Sequence, residues 1–182
     1  MTRSQLRHSV VREDLQAVFA NANVEGAFAL LVVSTKQLTV VNRVRAERRA
    51  VPASTFKIPH AVIALETGAI GDEDEVVPYG GGRQPVKAWE RDMSIREAIP
   101  LSNAAIFQEL ARRIGHLARL ELPASAKTQQ TVKDLLLPER SANAVLYGKT
   151  GWQFETDPQL GWWVGWVKRD NAIFAFALNM ES

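Results

Sequence analysis

Strand-forming sequence lies toward both ends of this chain and helix-forming sequence lies between. That segregation limits the available folds more than any other feature. Gly26 to Ser34 is a nearly continuous apolar run, and Gln37 to Val41 follows after the polar turn Ser34-Thr35-Lys36. Together they predict a β-hairpin whose first strand is buried on both faces. Near the C-terminal end, Ala144 to Gly148, Leu160 to Val167 and Ala172 to Leu178 are rich in Val, Ile, Phe and Trp. They predict three strands, the last two joined by a tight turn around Arg169, Asp170 and Asn171. The middle reads differently. A helix opens at Pro52 and Ser54 and stops at Gly68, another starts at Ser102 and stops at Gly115, and a third spans Thr128 to Leu137 before Pro138. Val10 to Ala20 has helical spacing as well, with Val11, Leu15, Val18 and Phe19 on one face. Glycines 80 to 82 and Pro85 mark an exposed loop. The expected class is α+β, an antiparallel β-sheet flanked by helices in a single domain, 1–182.

Composition narrows the chemistry. The 182 residues are 46% apolar and 23% charged, ordinary for one packed domain. There is no cysteine, which excludes disulfides, CxxC zinc sites and thiol nucleophiles. His8, His60 and His116 show no metal-ligand spacing, so no metal is expected. The longest apolar run, Ala27 to Val33, is too short to span a bilayer. No apolar stretch follows Arg3, Arg7 and His8, so no signal peptide is expected in this chain and no membrane partner. The net charge is only +2. Arg43, Arg45, Arg48 and Arg49 read as a solvated loop, and no nucleic-acid partner is expected.

Three short motifs carry chemistry. Ser54-Thr55-Phe56-Lys57 places an amine one helical turn beyond a hydroxyl, with a rise of about 4.5 Å. A serine hydroxyl becomes a nucleophile when a neighbouring base takes its proton, and a lysine can do so where it is held neutral. Taken alone, the motif reads first as a helix N-cap with an exposed lysine. Lys149-Thr150-Gly151 ends an apolar strand, where a lysine and a hydroxyl can hold a carboxylate and glycine permits close approach. Ser102 opens a helix, which by itself suits an N-cap.

The order of the three, S-x-x-K, then a helix-opening serine, then K-T-G on a late strand, is that of the penicillin-interacting serine enzymes. Longer stretches resemble class D (OXA-type) serine β-lactamases from about Asp14 onward. These are Val51-Pro52-Ala53-Ser54-Thr55-Phe56-Lys57-Ile58-Pro59, Ile63 to Gly68, Lys87-Ala88-Trp89-Glu90-Arg91-Asp92-Met93, Phe107 to Gly115, and Gly161 through Met180. The resemblance implies a serine β-lactamase or penicillin-binding transpeptidase-like fold with a reduced helical subdomain. It implies β-lactam hydrolysis, hence antibiotic resistance, through an acyl-enzyme. Ser54 would be the nucleophile, and Lys57 the base, carboxylated by carbon dioxide in the family. Ser102 would be the proton shuttle to the leaving nitrogen. Lys149, Thr150 and Gly151 would bind the substrate carboxylate, and the N–H groups of Ser54 and Trp152 would form the oxyanion hole. Ala104 stands where the family's S-x-V motif has valine. A periplasmic or secreted location follows from the same likeness.

Two departures accompany the resemblance. Ala111 to Gly115 belongs to one family helix, whereas Leu117 to Pro123 resembles a segment that lies much later. The intervening block holds the family's Tyr-Gly-Asn motif and the loop whose tryptophan hydrogen-bonds the carboxylated lysine. The chain also ends at Ser182, before the family's C-terminal helix and its substrate-pairing arginine. These departures predict impaired turnover, and an uncovered sheet face that drives homo-oligomerisation or segment exchange. Hydrolysis is the leading expectation. A β-lactam sensor or trap that acylates but hardly deacylates, and an inert scaffold, are the alternatives.

Overall fold

The computed structural model describes residues 9–117, 125–136 and 138–181. They divide into two compact units: the chain up to Thr55 together with that from Pro138 onward, and Phe56–Leu137.

The first unit is built on a seven-stranded sheet. Its strands are β1 (Val10–Val11), β2 (Glu25–Val32), β3 (Gln37–Val41), β4 (Glu139–Arg140), β5 (Ala144–Gln153), β6 (Leu160–Arg169) and β7 (Ala172–Glu181), in spatial order β1-β3-β2-β7-β6-β5-β4. The expected hairpins form. β2 pairs antiparallel with β3, and β6 with β7 through a two-residue turn in which Asp170 takes a φ of +52°. β7 also pairs with β2 from Glu25↔Glu181 to Val32↔Phe174, which closes early and late strands into one sheet. All three late strands are ten residues long and outrun their apolar cores. The sheet is antiparallel except at its β1–β3 edge, which is parallel.

That edge corrects the helix expected over Val10 to Ala20. Val10 and Val11 pair with Thr39 and Val40, and the Arg12 N–H donates to the Val40 carbonyl. Two β-branched residues beside an unpaired strand gain more from its ladder than from a helical turn. Only Gln16–Asn21, α1, is α-helical, and of the expected apolar face Phe19 alone is buried. Phe19 lies over Gly26, where an added Cβ would overlap its ring. A second short helix, α2 (Arg43–Ala46), replaces the expected solvated loop, and its Arg45 is buried. Arg45 is held by Glu181 at 2.9 Å and by the Asn179 Oδ1 at 2.9 Å. A guanidinium can leave water only with such partners.

The second unit holds α3 (Lys57–Glu66), α4 (Ile95–Ala98), α5 (Ala104–Leu117) and α6 (Ala126–Asp134). α3 packs against both α5 and α6. Ala61, Ala64, Ile70, Met93, Ile95, Ile106, Leu110 and Leu135 are buried in its core. α3 ends where Gly68 adopts a φ of +67°, as expected. α5 begins two residues after Ser102 and continues through Gly115 to Leu117, so that glycine is no stop. α6 begins at Ala126, because the Ser125 hydroxyl accepts from the Thr128 N–H and caps the helix one residue earlier. The junction segment beyond Leu117 lies outside the described residues.

Candidate active site

Ser54 sits in a tight 3₁₀ turn, Ala53–Phe56, that runs straight into α3 at Lys57. The turn is forced. Ala53 adopts a φ of +46°, and the Pro52 carbonyl accepts from both the Thr55 N–H (3.2 Å) and the Thr55 hydroxyl (2.5 Å). Strain at a non-glycine residue persists only where its surroundings over-determine it, as around a nucleophile. Upstream, the Trp162 indole donates to the Val51 carbonyl at 2.8 Å and ties the segment to β6.

The same turn lies against β5 near its C-terminal end, at Gly151. A Cβ on Gly151 would come within 3.0 Å of the Pro52 carbonyl oxygen, the Thr55 N and the Thr55 Cγ2. Only glycine leaves room there. The S-x-x-K serine and the K-T-G strand, far apart in sequence, are thereby neighbours within the first unit. Lys149, Thr150, Gly151 and Trp152 pair in register with Val164, Trp163, Trp162 and Gly161. Alternation points their side chains to opposite faces. Lys149 and Gly151 are buried, whereas Thr150 and Trp152 are exposed. Burial pushes the Lys149 amine below the usual lysine range, and its Nζ donates to the Thr150 carbonyl at 2.9 Å. The Trp152 indole donates to Gln159 at 3.1 Å and its ring meets Phe154 edge-on at 5.6 Å.

In the second unit Lys57 is the first residue of α3 and is 9% exposed, which removes the reading of an exposed lysine behind a cap. Its Nζ lies 5.6 Å from the centroid of the Phe107 ring on α5. An ammonium out of water is costly, and an aromatic face recovers part of that cost. His60, one turn along α3, meets the Phe107 ring edge-on with the ring centroids 5.4 Å apart. Desolvation, and then the charge of Lys57, hold the His60 imidazole below its ordinary range and hence neutral.

Ser102 corrects the sequence reading most usefully. It does not cap α5. Fully buried Asn103 does, its Oδ1 accepting from the N–H of Ala105 (2.9 Å) and of Ile106 (3.3 Å). The Asn103 Nδ2 reaches the Trp89 carbonyl at 3.3 Å and the Met93 sulfur at 3.4 Å. Ser102 stands before the cap with a φ of +54°. Its backbone is strained. Asn103, Phe107 and His60 were not singled out as site residues from the sequence. Only the Ser-Asn pair at a helix start offered a signal, and it was ambiguous. Among the described residues no cluster of His, Asp and Glu could hold a metal, and no helix is long and apolar enough to cross a membrane.

Comparison with known proteins places these features in a family. The penicillin-binding protein transpeptidase domain matches residues 17–121 and 117–182. The β-lactamase OXA-5 of Pseudomonas aeruginosa is 32% identical over 209 aligned positions, spanning 90% of this chain and 78% of the relative. OXA-48 of Klebsiella pneumoniae is 28% identical over 91% of this chain and 78% of its own length. Among solved structures, the class D β-lactamase YbXI from Nostoc superposes with a TM-score of 0.83 at 27% identity, covering 94% of this chain and 90% of the other. An alignment of 209 positions is longer than the chain itself, so OXA-5 carries residues within the matched region that this chain lacks. The two domain matches meet at 117–121, beside the jump after Gly115.

Proposed function

The chain belongs to the class D serine β-lactamases, hydrolases that open β-lactams through an acyl-serine, and we propose that its whole length, 1–182, acts as one penicillin-interacting domain with Ser54 as the acylated residue. Lys57 takes the Ser54 proton, and the freed oxygen attacks the lactam carbonyl. The charge that develops on that carbonyl is accepted by the N–H groups of Ser54 and Trp152, donors fixed in advance of the reaction. The carbon–nitrogen bond breaks as the Ser102 hydroxyl hands a proton to the departing nitrogen and takes in its place the proton that Lys57 received from Ser54, which leaves Lys57 a base again. Lys149 and Thr150 hold the substrate carboxylate, with Gly151 allowing the strand to approach. A lysine desolvated as Lys149 is gains most from an anionic guest. A water then gives a proton to Lys57 and bonds to the acyl carbon, and as the bond to Ser54 breaks Lys57 returns that proton to the Ser54 oxygen, releasing the acid.

A metal is not required by this chemistry. Carbon dioxide would be held on the Lys57 amine, whose burial supports that role because burial disfavours the charged form. So bound, it supplies a carboxylate-like base in place of an ammonium. The observation that carries the assignment is the seating of the Ser54 turn on Gly151. Hydrolysis of a chromogenic cephalosporin, with and without bicarbonate, tests it alongside Ser54→Ala. Turnover that is stimulated by bicarbonate and abolished by the substitution supports the reading. No turnover in either condition overturns it, and a lasting drug adduct on Ser54 by mass spectrometry selects the trap.

The family likeness also supports action in the periplasm or outside the cell, where β-lactams meet their targets; cell fractionation tests this. A groove of about 270 Å³ along α1 and β7, lined by Leu15, Val18, Phe19, Leu178 and Met180, supports self-association or segment exchange with a second copy. Sedimentation at micromolar concentration should show a dimer or larger species, and a monomer alone overturns it.

A further inference from the structure

The arginines of α2 and of the turn after it line a cavity that the reaction does not use. It lies within the first unit and holds about 240 Å³. Ala27, Ala29 and Ala177 make a flat apolar floor, and Trp162 forms a wall. Arg45, Arg48 and Arg49 stand around it, with Glu181 the single carboxylate in the lining. Arg45 is already answered by Glu181 at 2.9 Å and Asn179 at 2.9 Å, with Glu25 at 3.8 Å. Arg48 helps Arg45 hold the Glu181 carboxyl below its usual range. Among the described residues, neither Arg48 nor Arg49 makes a side-chain hydrogen bond or ion pair.

We propose that this cavity binds a small aromatic carboxylate. The ring would lie on the alanine floor beside Trp162, and the carboxylate would meet the guanidiniums of Arg48 and Arg49. A carboxylate matches the guanidinium fork in a way a hydroxyl cannot. An inorganic anion would satisfy the arginines and leave the floor wet. The volume falls below the roughly 300 Å³ at which drug-sized ligands begin to fit, so a one-ring acid is accommodated and an opened β-lactam is not. The Trp162 indole also donates to the Val51 carbonyl, which joins the cavity wall to the segment leading to Ser54.

Calorimetric titration of the full chain with sodium benzoate tests the proposal. Saturable one-to-one binding is expected, with benzyl alcohol and acetate each weaker by about tenfold or more. The double substitution Arg48→Ala with Arg49→Ala, both at exposed positions, should weaken benzoate to a similar degree, with circular dichroism unchanged. Ala177→Leu, which fills the floor, should abolish binding, with circular dichroism confirming the fold. Lys149→Ala should leave the affinity unchanged, and hydrolysed benzylpenicillin should not compete. Absence of saturable heat overturns the proposal. So does full affinity in the double variant, loss of binding on Lys149→Ala, or competition by the hydrolysed drug.

Discussion

The Thr55 amide nitrogen lies 3.0 Å from the point where a Cβ on Gly151 would stand. The Ser54 turn and the Gly151 strand thus leave less room than one methyl group would need. Gly151→Ala should push the turn off the strand while the sheet stays paired. We expect kcat/KM for a chromogenic cephalosporin to fall by about a hundredfold, since displacements near 1 Å cost that much in an oriented reaction. Far-ultraviolet circular dichroism should be unchanged. An alanine variant with full activity would show that this contact does not position Ser54.

Asn103 and Ser102 should separate stability from turnover. Asn103→Ala removes a buried cap with two N–H partners and should destabilise the fold by about 1–3 kcal/mol in urea melts. Ser102→Gly relieves a left-handed backbone and should hold stability or raise it by a few tenths to 1 kcal/mol. Its turnover should nevertheless drop sharply, because the hydroxyl is gone. Equal destabilisation by both would assign Ser102 to the scaffold.

Lys149 gives a pH signature. Its amine is held below the usual lysine range, so between its folded value and about 10.4 the unfolded chain binds more protons. Stability from this residue therefore rises with pH through that window, and at neutral pH the buried ammonium is a net cost. Lys149→Met should raise the melting temperature at pH 7, flatten the alkaline-side slope and raise KM for substrates bearing a carboxylate. A lower melting temperature with unchanged KM would contradict both halves.

His60 works at the acid end with the same sign. Its folded value lies below the ordinary one of about 6.5, so the folded state prefers the neutral ring. Stability is complete above that ordinary value and is lost as pH falls through it toward the folded value. His60→Phe should remove this acid-side loss when melting temperatures at pH 8 and pH 5 are compared. An unaltered pH difference would mean that His60 titrates freely.

Legibility followed the range of the forces. The hairpin at Gly26, the three late strands and the Gly68 stop were readable, because alternation, apolar runs and left-handed stops act between near neighbours. Val10 and Val11 were misread because the strand edge that captures them lies some thirty residues away, at Thr39 and Val40. Gly115 was taken for a stop, yet a glycine inside a helix costs only about 1 kcal/mol, which tertiary packing outweighs. As candidates, Ser54, Lys57, Ser102 and the K-T-G strand were legible from their order along the chain. Their surroundings were not, because Phe107 beside Lys57 is a through-space fact that no spacing rule encodes. Arg45 was placed in solvent for the same reason. Its partners, Asn179 and Glu181, come from the far end of the sequence.

The pairing of β2 with β7 sets a schedule for biosynthesis. Glu25 through Val32 leave the ribosome long before Phe174 through Glu181, and until the later segment arrives the earlier strand has one neighbour instead of two. Contacts of such sequence separation close slowly, and strand edges left open in the meantime invite aggregation. The sheet therefore stays incomplete until nearly all of the chain has been made. That same delay keeps the chain threadable, so a membrane translocase would meet an unfolded polypeptide and not a finished sheet.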